Sequence, residues 1–238
     1  MRYLLMSAVI TTLSLAACGD KSVLQSAEKR DPATEAARAM EQDRPEDAVA
    51  TLRSALEKDP LNYQLRSLLS AALAQYYGID AISLALKMAE NKSGDSSSSN
   101  GIVALFVVLP DPTDETIAGL EEAIQELESI PEAERTRADN FKLSMMHTSL
   151  LGLRTKKFDL DLDGQISPTE LLSLSDNDAA AILNSLISSQ NAFNSGSASG
   201  QGSQAAGEKI GSIKGDIDLQ DGATDSEKLR NYLSKDKK

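Results

Sequence analysis

The sequence contains few of the residues from which many functional sites are built. Its 238 residues include one Cys, one His and no Trp, and aromatic residues make up only 4%. A single Cys excludes an intramolecular disulfide and a Cys-based zinc cluster, and a single His excludes a metal site with two His ligands. The scarcity of aromatic rings argues against a surface on which bases or sugars would stack.

Positive charge is also scarce. The chain has 24 Lys and Arg against 36 Asp and Glu, which gives a net charge of −12 at pH 7. Binding to nucleic acid needs clustered cations that neutralise phosphates, so no nucleic-acid partner is expected. The same deficit argues against attachment to anionic lipid by surface charge alone.

The N-terminal residues have the pattern of an export signal. Residues 1–3 carry one positive charge, and the mostly apolar stretch 4–15 is too short to cross a bilayer as a helix, which takes about 20 residues. The stretch ends in Leu-Ala-Ala-Cys at residues 15–18, which resembles the lipobox of bacterial lipoproteins. This resemblance implies that residues 1–17 are a signal peptide and that Cys18 carries a lipid anchor. An ordinary secretory signal followed by an incidental Cys is the alternative.

The residues after Cys18 bear on where the protein would be anchored. In lipoproteins of Gram-negative bacteria, Asp directly after the lipidated Cys favours retention in the inner membrane. Here Gly19 takes that place and Asp20 follows one residue later. The resemblance therefore implies a protein of the bacterial cell envelope that is bound to the membrane through its lipid. The periplasmic face of the outer membrane is favoured over the inner membrane, and the polar residues 18–33 are interpreted as a tether.

Residues 34–193 are predicted to form one all-α domain. Small and apolar residues recur at spacings of three and four in 34–59, with a break at the Asp-Arg-Pro of residues 43–45. Residues 65–88 repeat this pattern. The unit resembles a degenerate tetratricopeptide repeat, without the large aromatic residue that the family has early in its first helix. Residues 34–92 are therefore expected to be stacked antiparallel helical hairpins, of tetratricopeptide type or generic.

Two apolar segments follow this region. The continuous run from Ile102 to Leu109 is interpreted as a buried helix because no other segment supplies a convincing partner strand, although periodicity alone leaves a buried strand open. Residues 113–130 are predicted to be an amphipathic helix with an apolar inner face. Its outer face is rich in Glu and is interpreted as solvated surface.

Residues 159–170 resemble the twelve-position calcium loop of an EF-hand. Calcium takes six to eight hard oxygen ligands, which this loop is rich in. Gly164 permits the sharp turn that the motif needs, and Ile166 supplies an inward apolar contact. Helices over about 140–157 and from Pro168 onward are expected to enter and leave the loop. The ligands implied by the resemblance are the carboxylates of Asp159, Asp161 and Asp163, the backbone carbonyl of Gln165, the hydroxyl of Ser167 through water, and a bidentate carboxylate from Glu170.

Two interpretations without a metal compete with this one. Ser167 and Glu170 also form the pattern of a helix capping box, and the alternating Asp and Leu of residues 159–163 suit an edge strand. Against both, three carboxylates just beyond a helix C-terminus lie at the unfavourable end of the helix dipole and repel one another. Lys156 and Lys157 are expected to offset this in part, and a bound dication would offset it far better. The sequence therefore predicts Ca²⁺ as the cofactor.

Two features set this loop apart from a paired EF-hand sensor. Leu160 and Leu162 stand where such loops usually carry polar residues, which indicates either that the loop packs against something or that it binds calcium more weakly. Residues 216–227 have a faint match to a second loop but carry Asp221 where Gly is needed. A single EF-hand is expected to act as a structural clamp rather than as a switch.

The C-terminal region is predicted to lie outside the helical domain. Residues 194–215 are rich in Gly, Ser, Gln and Ala and are interpreted as a disordered low-complexity linker. Residues 216–238 are interpreted as a tail with one short helix. Thr224 and Glu227 have the spacing of a capping box at its start.

No catalytic motif stands out. His147 is the sole imidazole, and no Cys, Ser or Asp is spaced to form a nucleophilic site with it. The leading hypothesis is a non-catalytic, lipid-anchored, calcium-binding helical protein that acts as a scaffold or binds a protein partner in an envelope assembly, without a disulfide-linked oligomer. The alternative is a cell-wall hydrolase, because some of these enzymes carry a single EF-hand and use one catalytic Glu.

Overall fold

The computed structural model describes residues 31–90, 101–196 and 201–234. The chain divides into two units, Met1–Asp31 and Pro32–Lys238, and the helices of the described residues lie in the second unit. These residues form helices and connecting turns without any strand, which confirms the prediction of an all-α protein. The predictions for the signal peptide, for Cys18 and for most of the tether lie outside the described residues.

The helices follow one another with short connections. The α-helices of the described residues are α1 (Pro32–Glu41), α2 (Pro45–Leu56), α3 (Tyr63–Tyr76), α4 (Ala81–Glu90), α5 (Asp114–Glu128), α6 (Arg137–Lys156), α7 (Asp176–Gly196), α8 (Gln201–Asp218) and α9 (Asp225–Leu233). Three short 3₁₀-helices cover Val103–Val108, Glu132–Glu134 and Glu170–Ser173. No single α-helix among these has the length and apolar content of a membrane span; only α3 and α4 taken together meet both conditions, and they are bent by 75°.

The first predicted hairpin is formed by α1 and α2. The chain reverses at Asp43, whose φ is +56°, and the Arg44 N–H donates to the carbonyl of Ala39 at 2.9 Å. Ala36 and Ala48 are completely buried where the two helices pack, since small side chains let helix backbones approach closely. The sequence break at residues 43–45 therefore has the structural consequence that was expected.

The second predicted hairpin is not formed. At the C-terminus of α3, the Ile79 N–H donates to the carbonyl of Ala74 at 2.8 Å and the Gly78 N–H to that of Gln75 at 3.0 Å, which is the pattern of a Schellman cap. The chain leaves this cap at 75° to α3 rather than antiparallel to it. As a result α3 lies against α2 and α5, whereas α4 lies against α6, α8 and the 3₁₀-helix Val103–Val108. The expectation of antiparallel hairpins throughout 34–92 is wrong for its second half.

The apolar run Ile102–Leu109 is helical, as predicted, but mainly as the 3₁₀-helix Val103–Val108. Leu105 and Phe106 are buried in the core. The Lys156 ammonium at the end of α6 donates to the carbonyl oxygens of Phe106 at 3.2 Å and Leu109 at 2.9 Å. This contact joins the apolar run to the helix that precedes the predicted calcium loop.

Helix α5 buries the predicted apolar face, but its acidic face is more than solvated surface. Leu120 and Leu127 are completely buried. Four Glu side chains of the outer face meet a partner from another helix: Glu122 with Arg53 of α2 (2.5 Å), Glu126 with Arg66 of α3 (2.7 Å), Glu121 with Arg154 of α6 (2.7 Å) and Glu128 with His147 of α6 (3.3 Å). The interpretation of this face as mere surface is corrected accordingly.

Helices α6 and α7 form the most extensive helix contact in the described residues. They are antiparallel, because Arg154 near the end of α6 donates to Ser185 at 2.7 Å while Ser144 lies 3.2 Å from Ser189, further along α7. The predicted helix leaving Pro168 is replaced by the one-turn 3₁₀-helix Glu170–Ser173. The chain then becomes extended and α7 starts at a cap made by Ser175, which allows α7 to turn back along α6.

The C-terminal region belongs to the helical body. The prediction of a disordered linker over 194–215 is wrong for residues 194–196, which end α7, and for residues 201–215, which lie in α8 and bury Ala206, Ile210 and Ile213. A Cβ at Gly207 would come within about 2.0 Å of the Phe193 ring, so glycine here serves close helix packing rather than flexibility. The predicted short helix is confirmed as α9, which begins at a capping box. Its Tyr232 hydroxyl accepts a hydrogen bond from the Gly101 N–H at 3.0 Å.

Candidate metal site

The loop 159–170 is held between α6 and the following 3₁₀-helix by buried apolar side chains. Phe158, Ile166 and Leu171 are all buried, which confirms the inward contact expected of Ile166. Gly164 has a φ of +79°, which is a conformation that glycine adopts without strain. The local turn of the loop is therefore the one that its sequence predicts.

Asp159, the first loop residue, has a buried carboxylate that is only half satisfied. The residue is 4% exposed, and its Oδ2 accepts a hydrogen bond from the Gly164 N–H at 3.0 Å. Its Oδ1 is buried and has no hydrogen-bond partner among the residues that the structure describes. Burial raises the pKa of Asp159, and the negative charges of nearby loop carboxylates raise it further. A buried carboxylate oxygen without a donor is unfavourable unless a cation or another donor reaches it.

Glu170, the last loop residue, is bound by donors from both ends of the loop. It is 9% exposed; Oε1 accepts from the Leu160 N–H at 2.6 Å, and Oε2 accepts from the Ser167 N–H at 2.8 Å and the Ser167 hydroxyl at 2.9 Å. The Ser167 backbone N–H is the main cause of a lowered pKa for Glu170. The capping-box alternative is thus realised locally, although the helix that follows is only one 3₁₀ turn.

Three of the four predicted carboxylate ligands come together. Carboxylate oxygens of Asp159, Asp161 and Glu170 all lie within 4.8 Å of one another. Asp163 is exposed outside this cluster, and its Oδ1 accepts from the Gln165 N–H at 2.7 Å. The side chain of Gln165 is also exposed, and the Ser167 hydroxyl donates to Glu170. The cluster is made of hard oxygen donors only, which fits calcium better than it fits softer metals.

The two lysines before the loop do not neutralise it. Lys156 donates to carbonyl oxygens of the apolar run, and Lys157 pairs with Asp114 at 2.7 Å. Over the described parts of the chain, none of the loop carboxylates forms an ion pair with Lys, Arg or His. The expected partial compensation by these lysines is therefore absent at the site, and the carboxylates keep their mutual repulsion.

The leucines of the loop do not pack within the described structure. Leu160 is 68% exposed and Leu162 is 71% exposed. Leu162 also has a φ of +59°, which is an unusual conformation for a branched side chain. The first of the two explanations for these leucines, packing of the loop against something, finds no partner among the described residues. The exposure of Leu172 at 85%, just after the loop, is a feature that the sequence pattern did not predict.

His147, the sole imidazole, is a packed side chain. It is buried, and its Nε2 lies 3.3 Å from the Glu128 carboxylate. Burial lowers the pKa of His147, while Glu128 raises it and Arg154 lowers it. The two apolar residues before His147, Met145 and Met146, agree with a packed side chain on a helix that is buried on most sides.

The chain matches no protein family model, no curated protein and no solved structure.

Proposed function

We propose that this protein binds calcium at the loop 159–170 and acts as a non-catalytic, lipid-anchored scaffold or protein-interaction module of the bacterial cell envelope. The observation that carries the calcium part is the buried Asp159, whose carboxylate lies with those of Asp161 and Glu170 and whose Oδ1 has no hydrogen-bond partner among the described residues. A dication at this cluster would give that oxygen a partner and neutralise three carboxylates. The described protein atoms provide neither a partner for that oxygen nor a positive charge for the three carboxylates.

Calcium is favoured over magnesium by the build of the loop. Magnesium demands near-ideal octahedral geometry at short distances, whereas calcium accepts six to eight oxygens in an adaptable arrangement. Asp159 and Asp161 lie in a loop that is exposed on one side, and Glu170 also accepts hydrogen bonds from backbone N–H groups. The backbone carbonyl of Gln165, the oxygens of Asp163 and water are the further ligands that this proposal assigns.

The loop is proposed to be a structural clamp of EF-hand type. Gly164 and Ile166 agree with the motif, and the exit helix departs from it. Because α7 turns back along α6, a cation in the loop would fasten the connection between the two helices that share the largest contact. Sensor EF-hands act by opening a helix pair, and the long α6–α7 contact favours a clamp instead.

The scaffold part of the proposal is supported by the small-residue hairpin of α1 and α2. The buried Ala36 and Ala48 lie where α1 and α2 pack, and a tetratricopeptide repeat has small residues at such helix crossings. A non-catalytic role is supported by the packing of His147 against Glu128, because an imidazole buried in the core is poorly placed to meet a substrate. The lipid anchor is proposed from the sequence around Cys18 alone.

The calcium proposal is tested by thermal unfolding of the same preparation in EDTA, in calcium and in magnesium. The dissociation constant expected for this loop is on the order of 10⁻⁵ to 10⁻³ M, between those of sensors and extracellular modules. At free calcium about 100-fold above this constant, binding adds about 2.7 kcal/mol to the free energy of unfolding. For a domain of this size that raises Tm by about 5 to 10 °C, with a smaller effect of magnesium. Calorimetry that finds no calcium binding below about 10 mM, weaker than extracellular modules, would show that the loop is only a helix cap.

The anchor is tested separately by metabolic labelling with a palmitate analogue. The wild-type chain is expected to incorporate the label and to sediment with membranes. Replacing Cys18 with Ser is expected to abolish labelling and release the protein. A wild-type protein that stays unlabelled contradicts the lipoprotein assignment and leaves the calcium proposal untouched.

A further inference from the structure

Three exposed leucines lie next to the candidate metal-site residues in the sequence. Leu160 and Leu162 alternate with the Asp residues of the loop, and Leu172 follows Glu170 by two residues. The three leucines are 68%, 71% and 85% exposed, in chain order. Because two of them alternate with candidate metal ligands, a surface that covers these leucines must also accept the carboxylates between them.

The chemistry of such a surface can be deduced from the alternation. A protein partner that covered the leucines would have to supply cations or donors for the carboxylates a few ångströms away. A phospholipid bilayer offers both kinds of contact: anionic phosphate oxygens at its surface can share a metal ion with the carboxylates, and the hydrocarbon directly beneath can receive the leucines. Side chains of an interfacial segment enter such a boundary by about 5–10 Å.

The candidate ligand set leaves room for a lipid oxygen. Asp159, Asp161 and Glu170 bring three residues together, and calcium takes six to eight oxygens. Asp161 is exposed, so the side of the cluster that it forms is open to an outside ligand. A phosphate oxygen completing the shell would bridge the loop to the membrane through the metal.

Charge and chain length set two conditions for docking on this partner. At a net charge of −12 the protein is repelled by an anionic bilayer, so approach would require a bound cation. Residues 19–31 lie between Cys18 and α1, and a chain of that length reaches at most about 45 Å. That reach is about the diameter of a compact domain of about 200 residues, whose radius of gyration is about 17 Å. A lipid at Cys18 would therefore not prevent the loop from meeting the same bilayer.

The geometry points to calcium-dependent docking of the loop on the bilayer surface. In this arrangement the cation is shared between the carboxylates of Asp159, Asp161 and Glu170 and a lipid phosphate oxygen, while Leu160 and Leu162 enter the interface. The inference rests on the proposed calcium binding and gives it a second role, orienting a tethered protein on its membrane. The exposed leucines then contribute to binding rather than to the fold.

The absence of Trp from the sequence makes a direct test possible. Leu160→Trp places a single indole in the loop of the full-length chain. Leu219→Trp is the matched control, because Leu219 is 83% exposed, follows Asp218 directly and lies between α8 and α9. Fluorescence is measured with vesicles of phosphatidylglycerol, with and without brominated acyl chains, in calcium and in EDTA. Thermal unfolding of both variants in the same buffers reports calcium binding independently.

Docking predicts a blue shift and quenching by brominated lipid for the indole at position 160, only with calcium and vesicles together, and no change at position 219. If calcium raises Tm but the loop indole does not respond to vesicles, docking is wrong and the calcium proposal stands. If calcium changes neither, the calcium proposal fails and docking fails with it. A blue shift in calcium without vesicles, rising with protein concentration, identifies a second copy of the chain as the partner and overturns docking.

A second variant measures the contribution of the leucines without a probe. Leu162→Asn is expected to weaken calcium-dependent vesicle binding roughly tenfold, because burial of a leucine side chain is lost. Asn also suits the left-handed backbone at this position, so the fold should be kept. Unchanged vesicle binding by this variant, with its calcium-dependent Tm shift intact, contradicts a role of Leu162 in docking.

Discussion

The acidic residues of α5 and those of the loop 159–170 carry similar charge and have opposite surroundings. On α5, Glu121, Glu122 and Glu126 each meet an Arg from another helix. In the loop, Asp159 has an oxygen that no described residue partners, and Lys156 and Lys157 are bound elsewhere. Described residues of the chain compensate the charge of the α5 cluster, and none of them compensates that of the loop.

The difference shows that acidic composition alone does not indicate a metal site. The α5 pairs are partly exposed, and such pairs contribute between zero and about 1 kcal/mol each. Their role is to neutralise a helix surface that three other helices approach. The loop carboxylates converge beyond the end of α6, where the helix dipole also disfavours negative charge. Only a cation from outside the described chain would compensate them, so substitutions in the two regions should respond differently to calcium.

The largest expected effect is loss of the calcium response in Asp159→Asn. The amide oxygen still accepts from the Gly164 N–H, so the local turn is kept. Without calcium the variant should be at least as stable as the wild type, because a buried and repelled charge is removed. With saturating calcium it should lack the gain of about 2.7 kcal/mol, measured as Tm with and without EDTA.

A control for Asp159→Asn is Asp111→Asn, at an exposed carboxylate far along the chain from the loop. This control should respond to calcium as the wild type does. A full calcium response in Asp159→Asn would show that the unpartnered oxygen is not a ligand.

A somewhat smaller effect is the difference in stability expected between a Glu→Gln substitution in the loop and the same substitution on α5. The two carboxylate oxygens of Glu170 accept from the Leu160 and Ser167 backbone N–H groups, and Gln keeps only one such oxygen. Glu170→Gln should therefore lower the free energy of unfolding of the metal-free protein by about 2 kcal/mol. Glu126→Gln removes only a partly exposed pair with Arg66 and should cost less than about 1 kcal/mol. Urea unfolding in EDTA measures both; equal losses would mean that the loop does not depend on its closing Glu.

A pH-dependent effect is expected from His147. Burial lowers its pKa in the folded protein below the ordinary value of 6.5, so the unfolded chain takes up a proton first as the pH falls. Stability from the neutral imidazole is therefore present above about pH 6.5 and is lost as the pH falls below it toward the folded pKa. The difference between wild type and His147→Gln in denaturant unfolding should change over this window. A difference that is constant from pH 7.5 to about 5 contradicts the lowered pKa.

The smallest effect is expected in a double-mutant cycle of Arg66→Ala and Glu126→Ala. The two side chains are 2.7 Å apart at their charged atoms and only partly exposed, so a coupling of about 0.5 to 1 kcal/mol is expected. Calcium should not change this coupling, because the pair is already compensated. A coupling that appears only in calcium would mean that the two acidic regions are not independent.

The starts and ends of most helices were predictable because their signals are local. The capping residue Thr224 and the break at residues 43–45 act through hydrogen bonds within a few residues. The angle between α3 and α4 was not predictable, since it is set by the cap at Gly78 together with what each helix packs against. The helix α8 was not predicted because its composition suggests disorder. Gly207 indicates flexibility in the sequence, and only the structure shows that it allows close contact with the Phe193 ring.

For the candidate site, the sequence by itself determined which oxygen-bearing residues the loop carries and the turn at Gly164, since both depend on residues within one twelve-residue segment. Only the tertiary structure decided that Asp159, Asp161 and Glu170 converge while Asp163 does not. It also decided that Lys156 and Lys157 turn away from the loop. The physical reason is that a carboxylate's burial and the cations near it depend on contacts with helices distant in sequence, which local spacing does not specify.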